Sequence, residues 1–182
     1  MSSTVATQLP TGTWSIDPVH SSIGFGVKHL GVSTFRGSFK QASGSLTSAD
    51  GAITGVDGTV RVENVQTEEP QLTGHLHSED FFHGEKYPEI TFKSTSIEPA
   101  ADEKLRITGD LTIRGVTKPV ELDAELEGVG DGPDGSPRLG ISAGGAIDRT
   151  DWGIVWNQPL ANGALAVAER VTIQLHVEAV KV

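Results

Sequence analysis

The chain has 182 residues, 36% of them apolar, with 22 glycines, nine prolines, no cysteine and a formal net charge of −10. That is enough apolar chain for one domain with a sizeable core. The acidic balance speaks against a nucleic-acid partner or a basic membrane-surface patch, and the absence of cysteine excludes disulfides, Cys-ligated metals, thiolate catalysis and lipidated-cysteine anchors.

The opening MSSTVATQLPTGTW has neither a cationic start nor an apolar run. It therefore reads as a flexible terminus over residues 1–12, with no signal peptide and no membrane-spanning segment, and the protein as cytoplasmic. A single domain is expected over 13–182. Residues 13–27 read as one strand bent at Asp17-Pro18. Its second half places Ile23, Phe25 and Val27 on one face. Ser22, Gly24 and Gly26 lie on the other, where two glycines imply curvature or a close neighbour. Residues 28–33 break the alternation as a short helical turn. A second strand follows over 34–48 with Phe35, Gly37 and Phe39 on one face, and a bulge near Gly44 is needed to bring Leu46 inward. A third strand covers 55–63.

Residues 64–88 are far more than a hairpin needs, so this insert is expected to contain helix. Within it, 75–92 (HLHSEDFFHGEKYPEITF) is the least strand-like stretch of the chain. Ser78 is suited to cap a short helical turn, with Glu79 and Asp80 at its start. Phe81 and Phe82 follow, and Gly84 and Pro88 mark the exit. Two adjacent phenylalanines outside a strand need apolar surface to cover, and the economical reading is a lid over one end of a barrel.

Four more strands are expected over 89–97, 104–113, 120–129 and 139–148. Residues 151–157 carry two of the three tryptophans, 158–166 form a small-residue loop, and 167–180 form a last, very regular strand. The sum is an all-β fold of eight antiparallel strands with a short helical insert between strands 3 and 4. At that count the sheet can close into a barrel, with a two-sheet sandwich as the alternative. Ser94, Gly109, Ala124, Ala143 and Gly145 recur near the middle of inward faces. Either large neighbours fill the space beside them or the barrel encloses a cavity; the cavity is favoured.

The order and spacing of several motifs carry a resemblance. Trp14-Ser-Ile16-Asp17-Pro18-Val19-His20-Ser21 and Phe25-Gly-Val27-Lys28-His29-Leu30-Gly31 form the first. His75-Leu76 with Ser78-Glu79-Asp80-Phe81-Phe82, Tyr87-Pro88 and Phe92-Lys93-Ser94 form the second. The run from Gly109 to Val120 (GDLTIRGVTKPV) and Arg149-Thr-Asp151-Trp152-Gly153 complete the set. From Thr13 onward the chain resembles the YceI-like family. The resemblance implies a lipocalin-like eight-stranded barrel holding a long isoprenoid lipid, polyprenyl or quinone-type, in an apolar tunnel. It implies no enzyme activity, and the lipid in place of any cofactor; a homodimer is compatible with it.

Such a tunnel needs apolar walls and a few polar groups at one mouth. The wall expected from the strand faces is Ile23, Phe25, Val27, Phe35, Phe39, Phe92, Ile107, Leu111, Leu122, Ile141 and Ile173, with Phe81, Phe82, Trp152 and Trp156 guarding an end. The competing reading makes all of these ordinary core and end-plug residues. His75, His77 and His83, with Glu79 or Asp80, offer an alternative function as a metal- or haem-binding module, although their spacing matches no strong metal motif. His20 and His29 are placed to touch a head group or to satisfy buried partners. Arg149 reads either as a structural partner of Asp151 or as a head-group contact. No GxSxG, HExxH or P-loop pattern is present.

Overall fold

The computed structural model describes residues 9–182. Its strands are β1 (Gly12–Ile16), β2 (Ser22–His29), β3 (Ser33–Phe39), β4 (Ser43–Ala49), β5 (Ala52–Arg61), β6 (Val65–Gln66), β7 (Glu89–Pro99), β8 (Leu105–Ile113), β9 (Val116–Asp131), β10 (Pro137–Asp148) and β11 (Val167–Lys181), with one α-helix, α1 (Pro70–His77). The eight expected strands are all there, because two of them are bent in half. β1 and β2 are the halves of the first, and β3 and β4 those of the second. β2 pairs with β3 (Phe25↔Gly37) and β1 with β4 (Trp14↔Leu46). β4, β5, β7, β8, β9, β10 and β11 then follow as an antiparallel meander. β11 closes the ring against both halves of the first strand, through Trp14↔Lys181 and Phe25↔Ile173. The sandwich alternative is thereby excluded.

The bends have local causes that alternation alone does not reveal. The expected strand over 34–48 is interrupted at Lys40–Ala42, where Gln41 takes a positive φ of 57°. This break, and not a bulge, restores Leu46 to the inside. Gly44 follows at φ 144°, and a Cβ there would sit 2.2 Å from the Asp57 carbonyl oxygen, so no other residue fits the second half of the bend. The expected helical turn over 28–33 is a tight hairpin turn instead, with Leu30 and Gly31 both left-handed.

The helix lies between β6 and β7, between the third and fourth of the eight long strands, but ahead of the place expected for it. Pro70 occupies its first turn, and the Glu69 carboxylate accepts from the Gln71 N–H as N-cap. Ser78 therefore ends this helix: its N–H and its hydroxyl both donate to the His75 carbonyl. Residues 1–8 of the expected flexible terminus lie outside the described residues. Leu9, within that expected segment, is buried and bridged to Gly51.

The connections segregate by end. Asp50–Gly51 and the loops over 100–104 and 132–136 lie at one end; the Leu30–Val32 turn, the insert, the Arg114–Gly115 turn and the β10–β11 loop lie at the other. The first end is solid. Trp14 is wholly buried there among Leu46, Ile53, Leu139 and Ala179, each large side chain contributing about 1.5–3 kcal/mol on leaving water. The Trp14 indole N–H donates to the Ser48 hydroxyl at 2.8 Å, so its polar atom is satisfied.

Small inward residues are partly explained by neighbours. The Phe92 ring lies over Gly109, 2.4 Å from where a Cβ would be, and Leu122 lies likewise over Gly145 at 2.8 Å. The open space comes from the other half of the barrel.

Candidate functional site

Toward the second end the inner faces diverge. On the side away from β2, β3 makes no ladder with β5 and meets only the two-residue β6, and the insert from Val62 to Pro88 spans the gap. Below it is a cavity of about 670 Å³, within the ~300–1,000 Å³ typical of small-molecule sites.

Its wall is built by strand alternation. β2 contributes Ile23, Phe25 and Val27, β3 Phe35 and Phe39, β7 Phe92, β8 Leu111, β9 Leu122 and β11 Ile173. With Phe81, Phe82 and Trp156 these bring twelve of the fifteen residues chosen from sequence onto one cavity. The other three lie off it. Ile107 and Ile141 belong to the solid half, because their register places them beyond Leu111 toward the closed end. Trp152 is buried outside the wall, where its indole N–H donates to the Leu111 carbonyl at 3.1 Å. It holds the β10–β11 loop to β8 and does not guard an opening.

Residues not chosen also line the cavity. Val171, Leu175 and Val177 share the Ile173 face, so alternation had already marked them. Leu72 and Leu76 come from α1, and with no helix placed at that point no periodicity marks them as inward-facing.

Two aromatic groups order the cavity along its length. Phe25, Phe39 and Phe82 form a trio with ring centroids 5.5–6.2 Å apart, so Phe82 drops from the lid into the barrel. At the mouth, His75 stands edge-on to Phe81 at 4.9 Å and to Trp156 at 4.7 Å, its Nε2 2.8 Å from the Asp80 carboxylate. The Arg114 guanidinium donates to the carbonyls of Glu79 and Phe81, at 2.5 and 2.6 Å, tying the lid to the β8–β9 turn. The lining residues that reach solvent here are Lys28, His29, Ser33, Thr34, Leu72 and Gln158.

Arg149 also borders the cavity, 4% exposed. It pairs with no carboxylate among the described residues, Asp151 included. Its nitrogens donate instead to the carbonyls of Ile154, Trp156, Val167 and Ala168. Burial pulls its guanidinium below its ordinary value, an effect that Glu169 and Asp148 partly oppose.

The histidines expected to converge do not. His75 and His77 are two apart on a helix, not a strand, and so project ~200° apart. His83 stands edge-on to Tyr87. Among the described residues, the one group of three possible metal ligands is Asp17, His20 and Glu178, outside the barrel. The Arg138 guanidinium already occupies it, 3.2 Å from the Asp17 carboxylate and 2.7 Å from that of Glu178. His20 is thus not a cavity residue, whereas His29 lies on the rim.

A closed antiparallel barrel, solid at one end and hollow under a lid at the other, defines a lipocalin-like cavity protein. Residues 14–179 match the YceI-like domain, and the chain belongs to that family. It is 43% identical over 137 residues to Protein YceI of Escherichia coli O157:H7, covering 74% of this chain and 71% of that one. It superposes on the Campylobacter jejuni YCEI protein with a TM-score of 0.72 and 33% identity, over 85% of this chain and 90% of the other. It shares the fold of a polyisoprenoid binding domain from Saccharophagus degradans, with a TM-score of 0.69 at 13% identity, over 95% and 100% of the two chains.

Proposed function

We propose that this protein binds a long-chain isoprenoid lipid, polyprenyl or quinone-type, and sequesters or carries it without chemical conversion. The observation that carries the reading is the dead-end cavity of about 670 Å³, walled almost wholly by aliphatic and phenyl groups. Such a wall offers little to a polar substrate but gains ~0.8 kcal/mol for each methylene taken from water. The Saccharophagus degradans domain, described as polyisoprenoid binding, has the same fold. Two polar groups that border the cavity are engaged with the protein itself, His75 with Asp80 and Arg149 with four carbonyls. That arrangement supports holding a ligand over converting it.

Native mass spectrometry on protein purified without detergent tests this. Wild-type protein is expected to carry a bound mass that fragments as an isoprenoid. The Val27→Trp/Ile173→Trp variant, which fills the cavity while keeping its wall apolar, is expected to lose it. A wild-type protein that neither carries such a lipid nor takes one up from vesicles, or an equal load in the filled variant, overturns the reading.

A further inference from the structure

Seven large apolar side chains stand exposed among the described residues, and five of them, Leu30, Val32, Leu72, Val155 and Leu165, surround the mouth. Val32 is 80% and Val155 68% exposed. The other two, Val19 and Val182, lie at the bend of the first strand and at the end of the chain. Scattered apolar residues need no explanation, but a ring of them at the entrance of an apolar cavity does.

The ring has a definite construction. The β10–β11 loop folds into a small hairpin through the bridge Pro159↔Leu165. It lies against the β2–β3 turn, where the Leu30 N–H donates to the Ala166 carbonyl at 2.8 Å. Two uncovered tips therefore project side by side.

Their charge differs from that of the chain as a whole. Residues 155–168 contain no charged side chain, and residues 18–49 contain Lys28, Arg36 and Lys40 but no carboxylate. Lys28 and Arg36 are exposed on the outer face of the β2–β3 hairpin, behind the apolar tip. The overall charge of −10 hides this local basic face.

We propose that the mouth docks on the surface of a bilayer containing anionic lipid. Leu30, Val32, Val155 and Leu165 enter the acyl boundary, while Lys28 and Arg36 meet head-group phosphates. This is the arrangement that holds interfacial protein segments on membranes. The inference rests on the isoprenoid reading for its purpose: a tail passing between bilayer and cavity through a docked mouth never crosses water.

Flotation with vesicles of phosphatidylcholine, alone or mixed with phosphatidylglycerol, tests the docking. Lipid load is followed separately by native mass spectrometry. Wild-type protein is expected to float with the mixed vesicles, less so as salt is raised. The Val32→Asp/Val155→Asp/Leu165→Asp variant is expected to bind about tenfold more weakly, and Arg36→Glu to lose most of the preference for phosphatidylglycerol. Val19→Asp, away from the mouth, is the control expected to float like wild type. All should retain their lipid load. Failure of wild type to bind either vesicle overturns the docking whatever the load. Undiminished flotation of the triple variant also overturns it. A wild-type dimer that the triple variant dissociates, without vesicle binding, assigns the rim to a second copy instead and likewise overturns it. An empty cavity in a wild-type protein that still floats removes the isoprenoid reading and leaves the docking surface standing.

Discussion

Arg149 shows how far one buried side chain determines the mouth. Its guanidinium gathers four carbonyls from Ile154 to Ala168, so the loop bordering the cavity is wound around one cation. Arg149→Met should remove these bonds at roughly constant volume and leave buried acceptors unpaired. The expected cost is about 3 kcal/mol or more, read as a lower urea midpoint with an unchanged slope. A residue serving only a head group would leave that midpoint in place. A structural role for Arg149 in the following loop was legible in the sequence, but its partners were not, because carbonyls 5 to 19 residues away leave no side-chain signature. Phe25 and Phe39 were legible in position, since strand parity alone aims them inward. Ile107 and Ile141 show the limit of the same rule. Parity distinguishes inside from outside but carries no information on height along the barrel, and they point into the filled half.

Among the elements, the insert was the hardest to read. His75-Leu76-His77 looks like strand alternation, yet it is the last turn of an eight-residue helix whose start is set by Glu69 and Pro70. At that length a helix owes its existence to packing, here Leu76 against the Phe39–Val60–Val65 cluster, and local periodicity is faint. Strand geometry would put the two histidines on one face, as a metal site needs, and the helix takes that arrangement apart. The lid beyond the helix is bonded mostly within itself and to the helix end. The Phe81 and Phe82 N–H groups donate back to the Ser78 and Leu76 carbonyls, and their rings are packed against the barrel. Arg114 supplies the two side-chain hydrogen bonds, to the Glu79 and Phe81 carbonyls, that tie this segment to the β8–β9 turn. Arg114→Ala should therefore loosen the lid without unfolding the barrel. Amide exchange over residues 79–87 is expected to speed up about tenfold, as loss of one to two net hydrogen bonds implies. The central amides of β8 and β11 should keep their protection. Equal acceleration throughout the barrel would show that Arg114 supports the whole fold and does not latch a separate lid.

At the scale of the molecule, the barrel depends on a seam where its first strand is bent. Asp17 sits at that bend. Its backbone N–H donates to the Glu178 carbonyl, and its carboxylate faces both the His20 ring at 2.9 Å and Arg138 of β10. The seam thus joins the first, seventh and eighth long strands by charge as well as by ladder bonds, and its titration should be visible in global stability. The His20 contact, followed by the Val19 N–H, holds the Asp17 carboxyl at about 2 against an ordinary 3.8. Since the folded value is the lower one, this stabilisation is complete above about pH 3.8 and drains away as the pH falls toward 2. The same contact raises His20 above its ordinary 6.5. The contribution of His20 is therefore complete below 6.5 and is lost as the pH climbs through its raised folded value. Both effects need the Asp17 charge. The difference in unfolding free energy between wild type and Asp17→Asn should accordingly form a plateau between pH 3.8 and 6.5 and decline on both sides. His20→Gln should abolish the alkaline decline and also weaken the acid one, leaving there the part that the Val19 N–H contact supplies. A urea series at constant ionic strength measures all three proteins. A wild-type-minus-Asn difference that stays level from pH 2 to 4 would mean that Asp17 does not hold the seam.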